Sequence, residues 1–337
     1  VHILAAIDGS TASEAALAAV ANHYWQETTT ISLVSVLKPQ KDRAATLAQM
    51  KQGIDDLARR LSDRFKDLTI SAEAMSGDPK TCILEAARQR RADLIVMGTK
   101  NKSGIDKLIL GSVSQSVLAA APCPVLIVKE GPNSAHLKQG RDFTRILVAS
   151  DTSMSSRSAC SWLSRQGWSE EAVFKVVTVL SDQSHSFDRE KDPQKAAWMM
   201  RQWGEIKHQT IRTLEQEASL LGRGLNKEQV TVDVLPGEPR KQILGMARGW
   251  RAELVVTGCS YKRGLDKLLT GSVSQAIAAS APCSVLIIKG LDEEGSPLSD
   301  KARAQQANKR RKKGPQALAG RSLPAGPEDD RPPFTMM

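Results

Sequence analysis

The sequence predicts an α/β protein made of one unit used twice, each unit a mainly parallel sheet with helices on both faces. Three observations predict it. His2-Ile-Leu-Ala-Ala-Ile-Asp8 lines up with Arg145-Ile-Leu-Val-Ala-Ser-Asp151 at an offset of 143, which holds to Leu37 and Leu180 and sets Trp25 against Trp168. Gly77-Asp-Pro79 lines up with Gly237-Glu-Pro239 at an offset of 160, which holds to Lys129 and Lys289. Within each copy, short apolar runs alternate with segments of helical spacing, the mark of right-handed βαβ crossovers. The second copy carries 17 more residues in its middle.

The elements follow in order. Ile3–Ile7 is a short apolar run, a buried strand. Ser13–Val20 is alanine-rich with helical spacing, and Thr11-x-x-Glu14 ahead of it reads as a capping box. Thr30–Leu37 is β-branched and apolar, a second strand. Leu47, Met50, Ile54, Leu57, Leu61 and Phe65 step by three or four, as on one side of an amphipathic helix. Thr69–Met75 alternates as a half-buried strand. Asp78-Pro79 starts a helix, with Asp as cap and Pro at the first helical position. Leu94–Met97 is the fourth strand, Gly111-Ser112 opens a short helix and Val125–Val128 is the last strand. In the second copy the extra residues lengthen the loop after Leu180 and the helix from Asp192-Pro193 to Leu221. Trp198, Met199, Trp203 and Ile206 on that helix read as core residues, or as an apolar pocket or partner face.

The chain thus divides into a first domain (1–129), a link (130–142), a second domain (143–289) and a tail (290–337). Its 337 residues are 41% hydrophobic and 25% charged, ordinary globular composition for two domains. Aromatic residues are only 4%, which counts against a surface built to stack many bases. The net charge of +10 favours anionic partners. No apolar run approaches the ~20 residues that span a bilayer. The five cysteines are scattered, with no C-x-x-C pair, as expected of reduced thiols in a cytoplasmic protein.

In doubly wound sheets, ligands sit beyond the carboxyl ends of the strands. Asp8-Gly9-Ser10 follows the first strand there, and Gly98 to Ser114 follows the fourth. Glycines let backbone approach a ligand, a helix start at Gly111-Ser112 attracts an anion, and Lys100, Lys102 and Lys107 add charge. A glycine turn and serine cap needed only to join strand to helix explains the same residues.

Both copies resemble universal stress protein domains over residues 1–289. The resemblance rests on Ile7-Asp8-Gly9-Ser10, Gly77-Asp-Pro79, Leu94-Ile-Val-Met-Gly98, Gly111-Ser-Val-Ser114 and Ala121-Pro-Cys-Pro-Val-Leu-Ile-Val128, with counterparts through Ala281-Pro-Cys-Ser-Val-Leu-Ile-Ile288. It implies two open five-stranded sheets of order 3-2-1-4-5, paired antiparallel through their last strands as an internal pseudo-dimer. A homodimer is also compatible with it. Members that bind ATP share a G-x2-G-x9-G-[ST] loop. Here the frame is Gly98, Asn101, Gly111, Ser112 in the first copy and Gly258, Tyr261, Gly271, Ser272 in the second. Asn tolerates left-handed backbone, whereas Tyr puts a bulky side chain where bare backbone should face the ligand. By resemblance the backbone of Gly98, Asn101, Gly104, Gly111, Ser112 and Val113 would hold the phosphates of ATP or AMP with Mg2+. Asp8, like Asp151 in the second copy, matches the acidic residue facing the ribose or the cation. An Asp that instead satisfies backbone at the helix start explains the same position.

No P-loop, dinucleotide fingerprint or G-x-S-x-G elbow occurs, and the five histidines show no ligand spacing. The tail clusters Lys309, Arg310, Arg311, Lys312 and Lys313, which reads as a solvated segment or as an arm for nucleic acid or anionic surfaces. The expectation is a non-enzymatic stress-response adaptor or sensor, with adenine nucleotide in the first domain. The alternatives are a nucleotide-free module that takes an apolar molecule or protein through the second domain, and a slow ATPase.

Overall fold

The computed structural model describes residues 1–23, 25, 28–39, 43–99, 110–130, 134–180, 192–222, 227–259 and 272–289. Lys100, Asn101, Lys102, Gly104 and Lys107, Tyr261 and Gly271, and the tail 290–337 lie outside the described residues. The first half runs β1 (His2–Ala6), α1 (Thr11–Ala21), β2 (Thr29–Leu37), α2 (Arg43–Arg64), β3 (Leu68–Ser76), α3 (Pro79–Gln89), β4 (Leu94–Thr99), α4 (Ser112–Ala120) and β5 (Val125–Lys129). A short α5 (Ala135–Lys138) lies in the link. The second half runs β6 (Arg145–Ala149), α6 (Met154–Leu163), β7 (Val173–Leu180), α7 (Pro193–Leu221), a 3-10 turn (Lys227–Gln229), β8 (Val230–Pro236), α8 (Pro239–Gly249), β9 (Leu254–Gly258), α9 (Ser272–Ser280) and β10 (Ser284–Ile288).

The helix starts follow local chemistry. Asp78 accepts from the Thr81 amide at the head of α3, and Glu238 accepts from the Arg240 and Lys241 amides at the head of α8, each followed by Pro. Asp192 does the same for α7. The cap of α1 is Ser10, whose side chain accepts from the Ser13 amide, and not Thr11 as the capping-box pattern suggested. Thr11 is already helical, and its hydroxyl donates to Glu130 at 2.7 Å.

The strands form one sheet of ten, ordered β3-β2-β1-β4-β5-β10-β9-β6-β7-β8, and not two sheets of five. Pairing is parallel within each half. The halves join where β5 and β10 run antiparallel, with Leu126 opposite Leu286 and Val125 opposite Ile287. Every residue of these two strands is buried, so separate sheets would expose two apolar edges with unpaired backbone groups. Zipping the edges together removes both.

Alternate residues of each strand feed opposite faces. Ile3, Ala5 and Val96 pack with α1 and α2, while Leu4, Ile95 and Met97 pack with α3 and α4. Both cores continue without a break into the second half. Polar ties reinforce the junction. The Lys129 ammonium donates to the Ala281 carbonyl at 2.8 Å, and the Lys289 ammonium donates to the Leu118 carbonyl. Each lysine therefore reaches across to the last helix of the other half. On the α1 side, His23 pairs with Asp142 at 2.7 Å and lies edge-on between Trp25 and Trp168, with ring centroids 4.5 and 5.0 Å away.

Helix α7 corrects one expectation. Trp198, Met199, Trp203 and Ile206 are not core residues, because none is buried and the buried face of α7 begins only at Leu214. The helix returns from the end of β7 to the start of β8, antiparallel to the strands. Its first 21 residues before Leu214 make about 31 Å of helix that buries no side chain fully, with Ile211 partly buried against the core. Helical spacing reports a sidedness, not where the sheet stops. No helix among the described residues is long and apolar enough to cross a membrane.

Candidate functional site

The carboxyl ends of β1 and β4 and the starts of α1 and α4 meet at one end of the sheet, as the strand order requires. Asp8 follows β1 and is exposed. Its Oδ1 accepts from the Ser10 amide at 3.0 Å across Gly9, which adopts a left-handed φ of +74°. Partial desolvation pushes the carboxyl up, but hydrogen bonds from the Ser10 side chain and amide and from Ser13 outweigh it and hold Asp8 below the usual carboxylate range. Asp8 is thus an ionised, preset acid at the rim.

Gly98 has a different job from the one its loop frame suggests. A Cβ there would stand 2.1 Å from the Ala12 carbonyl oxygen and 2.6 Å from the Ser13 nitrogen. The bare backbone of β4 lies against the first turn of α1, with no room between them for a ligand. The second half repeats the arrangement, with a Cβ on Gly258 2.5 Å from the Ser155 carbonyl. Gly111 is the opposite case. It caps α4 with an extended backbone (φ −60°, ψ 152°), makes no side-chain cap bond, and has none of the described residues within 4 Å of where a Cβ would stand. Ser112 and Val113 follow as the first helical residues, so their amides lie among the orphan donors of that helix start. Of the anticipated phosphate loop, Gly111, Ser112 and Val113 are described at the start of α4, and Asp8 follows the neighbouring strand β1 at the same end of the sheet. Asn101 and Gly104 fall outside the described residues.

The second mouth is built differently. Asp151 Oδ1 accepts from the Ser153 amide at 3.0 Å and the Ser156 hydroxyl at 2.7 Å. Thr152 stands where the first half has Gly9 and carries φ +56°. Left-handed backbone strains a β-branched residue. Replacing Thr152 by Gly should raise stability by about 1 kcal/mol; a lower denaturation midpoint for Thr152→Gly would contradict the strain.

Sequence reasoning missed several groups. Glu130, at the start of the link, accepts from Thr11 beside the first mouth and pairs with Lys138 at 3.3 Å. Glu217 lies 4% exposed on α7, hydrogen-bonded to Ser150. Lys129 and Lys289 are 5% and 4% exposed. A signal existed for the last three: Glu217 is an acid at a core-facing helical position, and each lysine directly follows a run of four apolar residues, in both copies.

The universal stress protein family matches this chain twice, over residues 2–129 and 142–289. A universal stress protein of Methanocaldococcus jannaschii is 48% identical over 61 residues, which are 18% of this chain and 36% of that one. The chain thus spans little more than a third of that relative's length. A putative universal stress protein of Staphylococcus aureus is 28% identical over 138 residues, 38% of this chain and 83% of that protein. The crystal structure of a universal stress protein from Archaeoglobus fulgidus superposes with a TM-score of 0.58 at 20% identity, covering 86% of this chain and 98% of that one. That likeness is one of fold. The doubled match covers the whole ten-stranded body, and the chain belongs to the universal stress protein family, carrying its domain in tandem.

Proposed function

We propose that the protein is a non-enzymatic adaptor of stress physiology whose first domain responds to an adenine nucleotide, ATP or AMP with Mg2+, the two halves standing as an internal pair. The observation that carries this reading is the start of α4. Gly111 gives the helix no side-chain cap, and no described residue fills the space where its Cβ would stand, which supports backbone amides and the helix dipole being available to a phosphate. Asp8 on the adjacent turn is suited to a ribose hydroxyl or to a cation on the phosphates, since a bare carboxylate beside a phosphate repels it. The adaptor role rests on Asp8 and Ser10 being engaged in holding the turn, which leaves neither poised as a base or nucleophile.

Calorimetric titration of the full chain with Mg-ATP and with AMP tests the reading. Binding should be seen for the native protein and lost in Gly111→Val, whose side chain would enter the ligand's space without meeting any described residue. No heat with either nucleotide, or equal affinity in the variant, would overturn it. Phosphate release over hours would favour a slow ATPase instead. A nucleotide-free reading of the second domain draws on one observation. Met154, Met200 and Ile206, at 39%, 52% and 46% exposure, are the exposed large apolar side chains among the described residues, and all lie on α6 and α7.

A further inference from the structure

The duplication supplies its own control. Equivalent positions of the two halves serve the same fold, so a difference in the core marks a demand the fold does not make. Under the end of β1, the first half packs Ile7, Leu17 and Leu57 into one apolar group. The second half has Ser150, Cys160 and Glu217 there. The correspondence of the helices is fixed by burial, because Ile54, Leu57, Ala58 and Leu61 face the core as Leu214, Glu217, Ala218 and Leu221 do.

The polar trio is expensive. Ser150, Cys160 and Glu217 are 7%, 0% and 4% exposed. Burial raises the Glu217 carboxyl above its usual range, with the Ser150 hydrogen bond and Arg157 opposing and Asp151 adding to the rise. Cys160 also faces it. The groups form a chain across three elements. The Ser150 hydroxyl donates to Glu217 Oε2 at 2.6 Å, and Ser150 Oγ itself accepts from the Thr152 amide at 2.9 Å. Thr152 is the strained residue of the mouth turn. One buried hydroxyl therefore ties α7 to the position where, among the described residues, the two mouths differ in backbone strain.

We propose that Glu217 is a positioning residue that couples the second mouth turn to α7, so that a change of backbone at Thr152 is felt along the helix. A shift of the Thr152 amide re-aims the Ser150 hydroxyl, and the hydroxyl is the tie between α7 and the end of β6. On the arm of α7 ahead of that tie, only Leu214 is fully buried and Ile211 partly so among the described residues, and the stretch from Pro193 to Thr210 buries no side chain, so little else resists movement of that arm. The first mouth has no such link, since Gly9 and Ile7 offer neither strain nor hydroxyl.

Native-state hydrogen exchange on the full chain tests it, following segments 150–157 and 204–214. Thr152→Gly should change exchange across 204–214 by about tenfold, the scale of one buried hydrogen bond. In a Glu217→Leu background the same substitution should leave 204–214 unchanged. Glu217→Gln, whose amide oxygen still accepts from Ser150, should restore the response. If Glu217→Leu folds poorly, the triple variant Ser150→Ile, Cys160→Leu, Glu217→Leu rebuilds the trio the first half already packs, and should likewise uncouple Thr152 from α7. A response of 204–214 that is absent in the native background, or equal with and without the carboxyl, overturns the proposal.

Discussion

The thermal stability of the full chain should rise as pH is taken from about 7.5 to about 9.5, where proteins rich in surface charge gain nothing comparable. The cause is the pair of crossed lysines. Burial lowers Lys129 from 10.5 to about 8, with Cys283 opposing, and lowers Lys289 to about 8 in the same way, with Cys259 and Cys123 opposing. Between pH 8 and 10.5 the unfolded chain therefore holds protons on these lysines that the folded chain has released. Stability rises with pH wherever the unfolded state binds more protons. Each shift is worth roughly 3 kcal/mol when complete. The neutral amine still donates to the Ala281 and Leu118 carbonyls, so deprotonation keeps the tie while removing the buried charge. Two thiols limit the gain. Burial pushes Cys160 and Cys283 up from 9.0 to about 12, so stability is lost as pH rises through that interval. The net increase near pH 9.5 is about 2 kcal/mol. In Lys129→Met with Lys289→Met the rise should vanish. Stability near pH 7 should change little, because relief of the buried charge offsets the cost of leaving each helix-end carbonyl without its lysine donor. Scanning calorimetry across pH on both proteins reads this directly. A rise that survives in the double variant would assign it elsewhere.

Those lysines also show which parts of the molecule were legible in the chain. Element order came from local signals: period-two and period-3.6 patterns, and caps such as Asp78-Pro79 that act within one turn. The duplication doubled every such signal. Pairing of the two last strands entered the reading only through the family resemblance, because the strand that covers β5 lies more than 150 residues away and no residue of β5 names it. Glu217 stayed hidden for the same reason. Its partner is on β6, and helical spacing alone cannot tell a carboxylate that meets a serine from one that turns to solvent. At the candidate site, Asp8 after β1 and Gly111-Ser112 at the start of α4 both lie at the carboxyl end of the sheet. The role of Gly98 was misread, since a glycine needed for a ligand and a glycine needed for a neighbouring helix are the same letter.

That ambiguity sets up the second large effect. Gly98→Ala should cost at least about 3 kcal/mol, and Gly258→Ala a similar amount, because each new methyl meets backbone that has no rotamer to change. The clash at Gly98 is with the Ala12 carbonyl in the first turn of α1, and at Gly258 with the Ser155 carbonyl in the first turn of α6. Relief requires either helix to move off the sheet, opening a core that buries Leu17 on one side and Cys160 on the other. Gly111→Ala should cost under about 1 kcal/mol, the difference between Gly and Ala at a helix cap. Urea denaturation of the three variants, set beside nucleotide titration, separates the roles. Loss of midpoint with Gly98→Ala and Gly258→Ala assigns those glycines to packing. Loss of ligand heat at a preserved midpoint with Gly111→Val assigns that glycine to recognition. If Gly98→Ala were as stable as the native chain, the β4–α1 contact would have slack, and the space before the first mouth would extend down to Gly98 as the loop frame first implied.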